Sequence, residues 1–240
     1  MAGIKKYKHD DKGSYTLGLA PTIDLLLCKP ELADKIFTHS NIEKNENTGR
    51  LYQLCAKHNV PIEENDKVFN ILSQKGNCFV IGMFQKFQTV LSETSHILLV
   101  SPSDAGNVGN IIRTAVGFGI KNIGIIKPAV DVFDPKAIRA SMGALFYINF
   151  EYFENMDAYR KKYPNHNLYA FTIDAQTSLS AVKFDEPYSL IFGNEATGLP
   201  SEYSNFCKTV TIPYSKKIDS LNLASAISIA AYIATIATEN

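Results

Sequence analysis

Three short motifs in the second half of the chain carry the side chains best suited to chemistry. They are Asn107–Arg113, Gly193–Leu199, and the pair Ile212–Pro213 followed by Ser220–Asn222. Together they supply a guanidinium, a carboxylate, carboxamides and hydroxyls, with glycines beside the carboxylate. A guanidinium binds phosphate well because its planar fork donates two parallel hydrogen bonds. The arginine of the first motif, Arg113, is therefore suited to bind a phosphate.

The first motif predicts a helix with one polar stripe. At about 100° per residue, the polar residues fall within roughly one third of the circumference, and apolar residues fill the opposite side. A solvated surface helix is the ordinary interpretation of such a stripe. Two features favour a functional one: the stripe carries Asn and Arg rather than Lys and Glu, and it begins beside a strand end, near a helix N-terminus that attracts anions. The stripe consists of Asn107, Asn110, Arg113 and Thr114.

The second motif is a glycine-rich turn around a glutamate. The apolar run Leu190–Phe192 leads directly into Gly193, and Gly198 follows shortly after Glu195. Glycine lets the backbone turn sharply and approach a ligand closely. One interpretation is a strand-to-helix turn with an exposed Glu195. The other is a loop whose backbone binds a cofactor while Glu195 orients the site.

The third motif is the start of a capped helix. Ile212–Pro213 ends an apolar run, and Ser220 and Asn222 stand where a helix cap is expected. The segment that follows, Leu223–Ala237, is rich in Ala and Ser, and small side chains allow close packing against another element. We predict a buried or interface helix there, because polar residues interrupt the segment and it is shorter than the about 20 residues that span a membrane.

The elements that position these motifs follow a regular pattern from His96 onward. Apolar runs of strand length alternate with helical or capped segments, which predicts an α/β fold with a parallel sheet. In such sheets ligands bind at the carboxyl ends of the strands, and all three motifs lie at such ends. The predicted strands are Ile97–Val100, Ile123–Ile126, Tyr147–Phe150, Leu168–Ile173, Leu190–Phe192 and Thr209–Ile212.

The first part of the chain is a smaller mixture of short strands and helices. The polar segment Gln85–Ser95 has no clear period and predicts a linker. We therefore expect two domains, residues 1–90 and residues 91–240. In the first domain the predicted strands are Lys35–Thr38, Val60–Ile62 and Phe79–Met83, and the predicted helices are Asn47–His58 and Asp66–Ser73.

Composition limits the class of protein. The chain has 240 residues, of which 45% are hydrophobic and 20% charged, and a formal net charge of zero. These values indicate a globular chain, and binding of nucleic acid would need a local basic patch. The four cysteines are far apart and stand at no metal-ligand spacing from a histidine, so we expect reduced thiols, no metal site and a cytoplasmic location. The polar N-terminus lacks the apolar core of a signal peptide.

The three motifs, in this order, resemble those of the SpoU family of RNA ribose methyltransferases, part of the SPOUT class. The resemblance is specific from about Leu98 to the C-terminus, and residues 1–90 resemble more loosely a small ribosomal-protein-like α/β domain that binds the RNA substrate. It implies a C-terminal parallel-sheet SPOUT domain with a trefoil knot, S-adenosylmethionine as methyl donor, a ribose 2′-hydroxyl of RNA as acceptor, and a homodimer. One departure is Tyr214, where the family commonly has methionine.

The resemblance also implies a role for each site residue. It places Arg113 nearest the reacting ribose, and because a guanidinium stays protonated in proteins, we expect it to hold a phosphate and to stabilise negative charge on the 2′-oxygen. The expected catalytic residues are Arg113, Asn107, Glu195, Ser220 and Asn222. The expected cofactor-binding residues are Thr172, Phe192, Gly193, Asn194, Gly198, Ile212, Pro213, Leu221, Asn222 and Ala226.

Two other classes of protein compete with this interpretation. A nucleotide-binding oxidoreductase would need GxGxxG after the first strand, and Gly106, Gly109, Gly117 and Gly119 do not give that spacing. A non-catalytic RNA-binding or ribosome-assembly protein that keeps the fold is the remaining alternative, and the joint presence of the five expected catalytic residues argues against it. For the enzyme, the N-terminal recognition domain favours ribosomal RNA over transfer RNA as substrate.

Overall fold

A computed structural model describes residues 4–73 and 76–236 and divides them into two compact units. The first unit contains the described residues up to Phe87 together with Asp131–Tyr147, and the second contains Gln88–Val130 and the described residues from Ile148 onward. The domain boundaries expected from the sequence assign Asp131–Tyr147 to the second domain, whereas the structure groups this segment with the first unit.

Ten strands and seven α-helices are found among the described residues. The helix predicted over Leu223–Ala237 is described as far as Ile236, and Ala237 lies outside the described residues. Within residues 4–73 and 76–236, no helix is both long and apolar enough to cross a membrane. The strands are β1 (Gly13–Leu17), β2 (Ala33–Thr38), β3 (Ile62–Glu64), β4 (Val80–Gln85), β5 (His96–Val100), β6 (Asn122–Ile126), β7 (Asn149–Phe153), β8 (Asn167–Phe171), β9 (Tyr188–Phe192) and β10 (Lys208–Val210). The helices are α1 (Leu19–Cys28), α2 (Glu46–His58), α3 (Asp66–Leu72), α4 (Ala105–Gly117), α5 (Pro135–Ser141), α6 (Met156–Lys162) and α7 (Leu223–Ile236).

The first unit is built on a four-stranded sheet in the order β1-β4-β2-β3. β4 pairs antiparallel with β1 and β2, and β3 pairs parallel with β2. Helix α2 begins with a reciprocal cap, in which Asn45 accepts from the Thr48 amide and the Thr48 hydroxyl accepts from the Asn45 amide. Leu26, Ile36 and Leu51 are fully buried, so the sheet and two helices share one apolar core.

The segment Asp131–Tyr147 joins the first unit through specific hydrogen bonds. The Ser14 hydroxyl donates to the Phe133 carbonyl at 2.5 Å, and the Tyr147 hydroxyl donates to Asp24 at 2.7 Å. The side chain of Asp131 is largely buried and pairs with Lys86 at 2.8 Å. These partners lie more than 40 residues away along the chain, so the sequence pattern of the segment alone does not reveal the grouping.

The second unit is a six-stranded, fully parallel sheet in the order β10-β8-β9-β5-β6-β7. β5, β6 and β9 are buried along their whole length, as expected of strands covered on both faces. The predicted α/β class with a parallel sheet is confirmed. From β5 the chain proceeds towards β6, whereas after β9 it proceeds to β10 at the other edge, so the boundary between β5 and β9 is a switch point where ligands are expected.

Most predicted strands of the second unit lie within two or three residues of their predicted positions. The largest difference is the run Tyr147–Phe150, because a short 3-10 helix occupies Ala144–Tyr147 and the strand begins at Asn149. The strands predicted at Leu168–Ile173 and Thr209–Ile212 end earlier than expected, at Phe171 and Val210. The residues beyond these two ends form loops at the carboxyl edge of the sheet.

A buried hydrogen-bond network joins two histidines in the second unit. Nδ1 of His96, which is fully buried, lies 2.7 Å from the Tyr159 hydroxyl oxygen, and that oxygen lies 2.6 Å from Ser189 Oγ. Nδ1 of His166 lies 2.9 Å from the same Ser189 oxygen. Burial lowers the pKa of both imidazoles, and it lowers that of His96 to about 4.

This network makes the stability of the chain sensitive to acid. Below about pH 6.5 the unfolded chain binds a proton at His96 and the folded chain does not, so acid favours unfolding until the pH reaches the folded pKa near 4. We expect a loss of roughly 3 kcal/mol in the free energy of unfolding across that window. Urea unfolding between pH 7.5 and 4 measures it.

A variant isolates the contribution of this histidine. His96→Asn removes the titrating group and should flatten the pH dependence. Equal slopes for the native chain and His96→Asn would contradict the assignment.

Candidate functional site

The candidate site lies at the carboxyl ends of β5 and β9, the switch point of the parallel sheet. After β5 a short turn leads into α4, and Asp104 caps that helix by accepting from the Asn107 amide at 2.8 Å. After β9 the chain enters the glycine-rich loop that begins at Gly193. The first and second motifs therefore face each other across two neighbouring strands.

The carboxylate of Glu195 is the centre of the site. Its Oε2 accepts from the Ser103 amide at 3.1 Å and from the Ser103 hydroxyl at 2.8 Å. Its Oε1 accepts from the Asp104 amide at 3.3 Å and from Asn107 Nδ2 at 3.2 Å. Because both oxygens are held, the side chain has one orientation, and it fixes the amide of Asn107 in turn.

The fixed amide of Asn107 connects the first motif to the third. Its nitrogen donates to Glu195, so its Oδ1 is available to accept, and it accepts from Asn222 Nδ2 at 3.3 Å. Asn222 in turn caps α7, since its Oδ1 accepts from the Ala224 amide at 2.9 Å. A continuous chain of hydrogen bonds therefore runs through Glu195, Asn107 and Asn222.

The surroundings of Glu195 keep it ionised. Partial burial alone would raise the pKa of its carboxyl, but hydrogen bonds from its own amide, from the Ser103 amide and hydroxyl, and from Asn107 outweigh burial and bring the pKa below its usual range. At neutral pH the residue is a carboxylate that accepts hydrogen bonds. It is therefore suited to orienting donors and is a poor general acid.

The glycine-rich loop is closed by its own backbone. The amides of Asn194 and Gly198 each donate to the other's carbonyl, at 3.2 and 2.9 Å, and Asn194 Nδ2 donates to the Ser101 carbonyl at 2.8 Å. A Cβ on Gly193 would lie 2.1 Å from the carbonyl carbon of Gly198. Only glycine permits this approach, so Gly193 determines the shape of the loop.

A cavity of about 670 Å³ opens beside this loop. Ligand pockets commonly have volumes of roughly 300–1,000 Å³, with mostly apolar walls and a few polar groups. The lining here has that character, with aromatic and aliphatic side chains next to Asp174, Gln176 and Glu195. Eight of the ten residues predicted to bind a cofactor line the cavity: Thr172, Phe192, Gly193, Asn194, Gly198, Ile212, Leu221 and Ala226.

The other two predicted cofactor residues have different positions. Pro213 is an exposed residue between Ile212 and Tyr214, which both line the cavity. Asn222 contributes to a second, more open groove of about 500 Å³ between α4 and α7. Ser220, predicted to be catalytic, lines the cavity rather than the groove.

The groove between α4 and α7 contains the arginine of the first motif. Arg113 and Asn110 lie on its α4 side, and Asn222 and Ser225 lie on its α7 side. Thr114 Oγ1 and Ser228 Oγ, 3.1 Å apart, join the two helices across it. Arg113 is exposed. The structure therefore separates the predicted residues into one set that lines the cavity and another that lines the groove. The hydrogen bonds that join Glu195, Asn107 and Asn222 connect the two sets.

Ser103, Asp104 and one wall of the cavity, apart from Thr172, were not predicted from the sequence. An Asp directly before an apolar helical period is a recognised N-cap signal and could have identified Asp104. The wall from Phe171 to Gln176 follows β8, and the rule that ligands bind at carboxyl ends of strands could have indicated it. Among the described residues, no group of three or more His, Cys, Asp or Glu side chains is arranged to hold a metal ion.

A parallel sheet with a cavity at the carboxyl ends of β8, β9 and β10, and a more open groove between α4 and α7, defines an α/β ligand-binding protein. Comparison with known families makes the class specific. The model of the SpoU rRNA Methylase family matches residues 94–232, more than half of the chain. The chain belongs to this family, which confirms the resemblance carried by the three motifs.

Two curated relatives are named for different RNA substrates. A 23S rRNA (uridine(2479)-2′-O)-methyltransferase from Streptomyces viridochromogenes is 31% identical over 144 residues, which are 57% of this chain and 50% of that protein. The chain thus spans about half the length of that relative. A tRNA (cytidine(34)-2′-O)-methyltransferase from Aeromonas hydrophila is 30% identical over 140 residues, which are 57% of this chain and 89% of that protein.

A solved structure resembles nearly the whole chain. The crystal structure of a SpoU methyltransferase from Streptomyces viridochromogenes in complex with the cofactor AdoMet matches with a TM-score of 0.79 and 20% identity. The match covers 95% of this chain and 91% of that one. At this identity the likeness shows the fold, and it includes the first unit as well as the parallel sheet.

Proposed function

We propose that this chain transfers a methyl group from S-adenosylmethionine to a ribose 2′-hydroxyl of RNA. The observation that carries the proposal is the hydrogen-bonded chain Glu195–Asn107–Asn222, which links a cavity of cofactor size to a groove that contains Arg113. Membership of the SpoU rRNA Methylase family and the activities named for the two curated relatives support it.

The cavity suits the proposed cofactor. S-adenosylmethionine would supply an electrophilic methyl group, and its nucleoside and amino-acid parts need both apolar contacts and polar partners. Leu199, Ile212 and Leu221 offer apolar walls, and the carboxylates of Asp174 and Glu195 give the cavity a negative side that favours a cation. Gly193 and Gly198 line the cavity with backbone alone, since neither carries a side chain.

In the groove, Arg113 is proposed to bind the ribose-phosphate and to stabilise negative charge on the 2′-oxygen as its proton leaves. The guanidinium keeps its own protons, so it acts as a donor and not as a base. Asn107 and Asn222 hold the two helices that border the groove in fixed register. Ser220, at the edge of the cavity, is proposed to lie near the reaction centre.

Ribosomal RNA is proposed as the substrate rather than transfer RNA. The match to the Aeromonas tRNA enzyme covers 89% of that enzyme but only 57% of this chain. Little of the enzyme is therefore left to correspond to the first unit of this chain. The first unit therefore distinguishes this chain from that enzyme. We propose that residues 1–90 form the part that recognises the RNA, and that residues 91–240 form the knotted methyltransferase domain.

A homodimer is proposed with an interface on α7. Ile229, Tyr232 and Ile236 on this helix are each at least 40% exposed, and the Phe118 ring lies 6.1 Å from that of Tyr232. A continuous exposed apolar patch on a folded chain is typical of an interface. A cytoplasmic location is proposed because all four cysteines are free thiols.

Calorimetric titration with S-adenosylmethionine and with its demethylated product tests the proposal. We expect saturable binding near one ligand per subunit, and transfer of radiolabelled methyl groups to ribose of RNA from a strain that lacks the protein. Sedimentation of the same preparation should give twice the subunit mass. A folded protein that binds neither ligand, with RNA present, would instead support the alternative of a non-catalytic RNA-binding or assembly protein.

A further inference from the structure

The turn between Tyr214 and Asp219 is a closed loop that presents two lysines. The Tyr214 hydroxyl donates to the Asp219 carbonyl at 2.7 Å and so ties the two ends of the turn together. Inside it, the Lys217 amide donates to Ser215 Oγ at 3.3 Å. The side chains of Lys216 and Lys217 are exposed, so the turn holds their backbone in place and leaves their ammonium groups in solvent.

The position of this loop relates it to both parts of the site. Tyr214 and Ser220, at its two ends, line the cavity, and Asn222 lines the groove beside Arg113. Lys217 precedes Asn222 by five positions, a distance of at most about 18 Å even for extended chain. Both lysines therefore lie within a few nucleotides of any ribose that binds in the groove.

Among the described residues, no carboxylate pairs with the ammonium groups of the two lysines. Within residues 4–73 and 76–236, neither Lys216 nor Lys217 forms an ion pair, whereas six other lysines each pair with a carboxylate: Lys5, Lys35, Lys86, Lys127, Lys162 and Lys208. The net charge of the whole chain is zero, so affinity for a polyanion depends on local groups of this kind.

We propose that the loop from Tyr214 to Asp219 binds backbone phosphates of the RNA strand that carries the target ribose. Lys216 and Lys217 supply the positive charge, and the hydroxyl of Tyr214 keeps the loop closed. The inference rests on the proposed RNA methyltransferase function. The proposal adds a phosphate-binding loop that lies, along the chain, between residues that line the cavity and Asn222, which lines the groove.

Salt-dependent RNA binding tests the loop. The probe is a fluorescein-labelled, single-stranded RNA of 15 nucleotides of mixed sequence, followed by anisotropy between 50 and 200 mM KCl. We expect K216Q/K217Q to weaken binding about tenfold near 0.1 M salt, and to lower the slope of log Kd against log [KCl] by about 1.4, the value for two phosphate contacts on a single strand.

A matched control separates local contact from the change in net charge. Lys121 directly precedes β6, and Lys161 lies in the last turn of α6, which leads back to the start of β8; both are exposed and lie towards the amino edge of the parallel sheet. K121Q/K161Q removes the same two charges and should change RNA affinity by less than about twofold. Equal losses in the two double variants, or no loss in either, would overturn the proposal.

Two further measurements keep the outcomes distinct. Tyr214→Phe removes only the hydroxyl, and we expect it to weaken RNA binding about threefold; an unchanged affinity would overturn the role given to this hydrogen bond. Titration of K216Q/K217Q with S-adenosylmethionine should give the affinity of the native chain. If the native chain itself binds no S-adenosylmethionine, the proposed function fails, while the comparison of the two double variants still decides whether the loop binds RNA.

Discussion

Gly193→Ala is expected to abolish measurable binding of S-adenosylmethionine. The added Cβ would lie 2.1 Å from the carbonyl carbon of Gly198, and 2.3 Å from both the Gly198 oxygen and the Leu199 nitrogen. These are backbone atoms, so the loop itself must move, and the same loop forms a wall of the cavity. A displaced wall loses its contacts with the ligand, and we expect at least about a hundredfold loss in affinity by calorimetry, which corresponds to about 2.7 kcal/mol.

The matched control for this variant is Gly49→Ala in α2. A Cβ on Gly49 meets nothing within 4 Å, and alanine is the better helix former by roughly 1 kcal/mol. The control should therefore bind the cofactor like the native chain and unfold at an equal or higher urea concentration. If Gly193→Ala binds S-adenosylmethionine within about threefold of the native value, the cavity assigned here is not the cofactor site.

The parallel sheet could be predicted because strands that are buried on both faces consist of short apolar runs. β5 and β9 are buried at every position, and their residues form short apolar runs with few alternatives to a central strand. The first strand of the chain, β1, has no such apolar run. β1 buries Ser14 and Thr16, and the hydroxyl oxygens of Thr16 and Thr22 lie 2.7 Å apart, so internal partners satisfy polar groups that a pattern search assigns to the surface.

The candidate site could be predicted as a set of residues but not as a set of contacts. The carboxyl-edge rule brings Asn107 near Glu195 although they are 88 residues apart. The two hydrogen bonds from Ser103 depend instead on the conformation of the turn after β5, in which Ser101 has a φ of 53°. A residue other than glycine seldom adopts this value, and the sequence around Ser101 does not predict it.

The division of the site into a cavity and a groove also exceeds what motif spacing predicts. Ser220 and Asn222 are separated by one residue and were expected to act together, yet Ser220 lines the cavity and Asn222 lines the groove. Leu221, between them, lines the cavity as well. The third motif therefore crosses the boundary between the two spaces, which is where a methyl group would have to pass from cofactor to RNA.

Arg113→Ala is expected to lower kcat by about a hundredfold to a thousandfold, the usual cost of removing one donor that stabilises a developing oxyanion. Because Arg113 lines the groove and not the cavity, the affinity for S-adenosylmethionine should change by less than about twofold. The side chain is exposed, so the free energy of unfolding should change by no more than about 0.5 kcal/mol. Single-turnover methyl transfer, with both substrates saturating, measures the effect on chemistry directly.

The conservative variant Arg113→Lys separates charge from geometry. Lysine keeps the positive charge but donates from one point, so it cannot form the two parallel bonds that a phosphate accepts from a guanidinium. We therefore expect it to restore part of the rate while remaining about tenfold below the native chain. Full activity in Arg113→Lys would show that charge alone is required, and unchanged activity in Arg113→Ala would remove Arg113 from the catalytic site and leave the groove as an RNA-binding surface only.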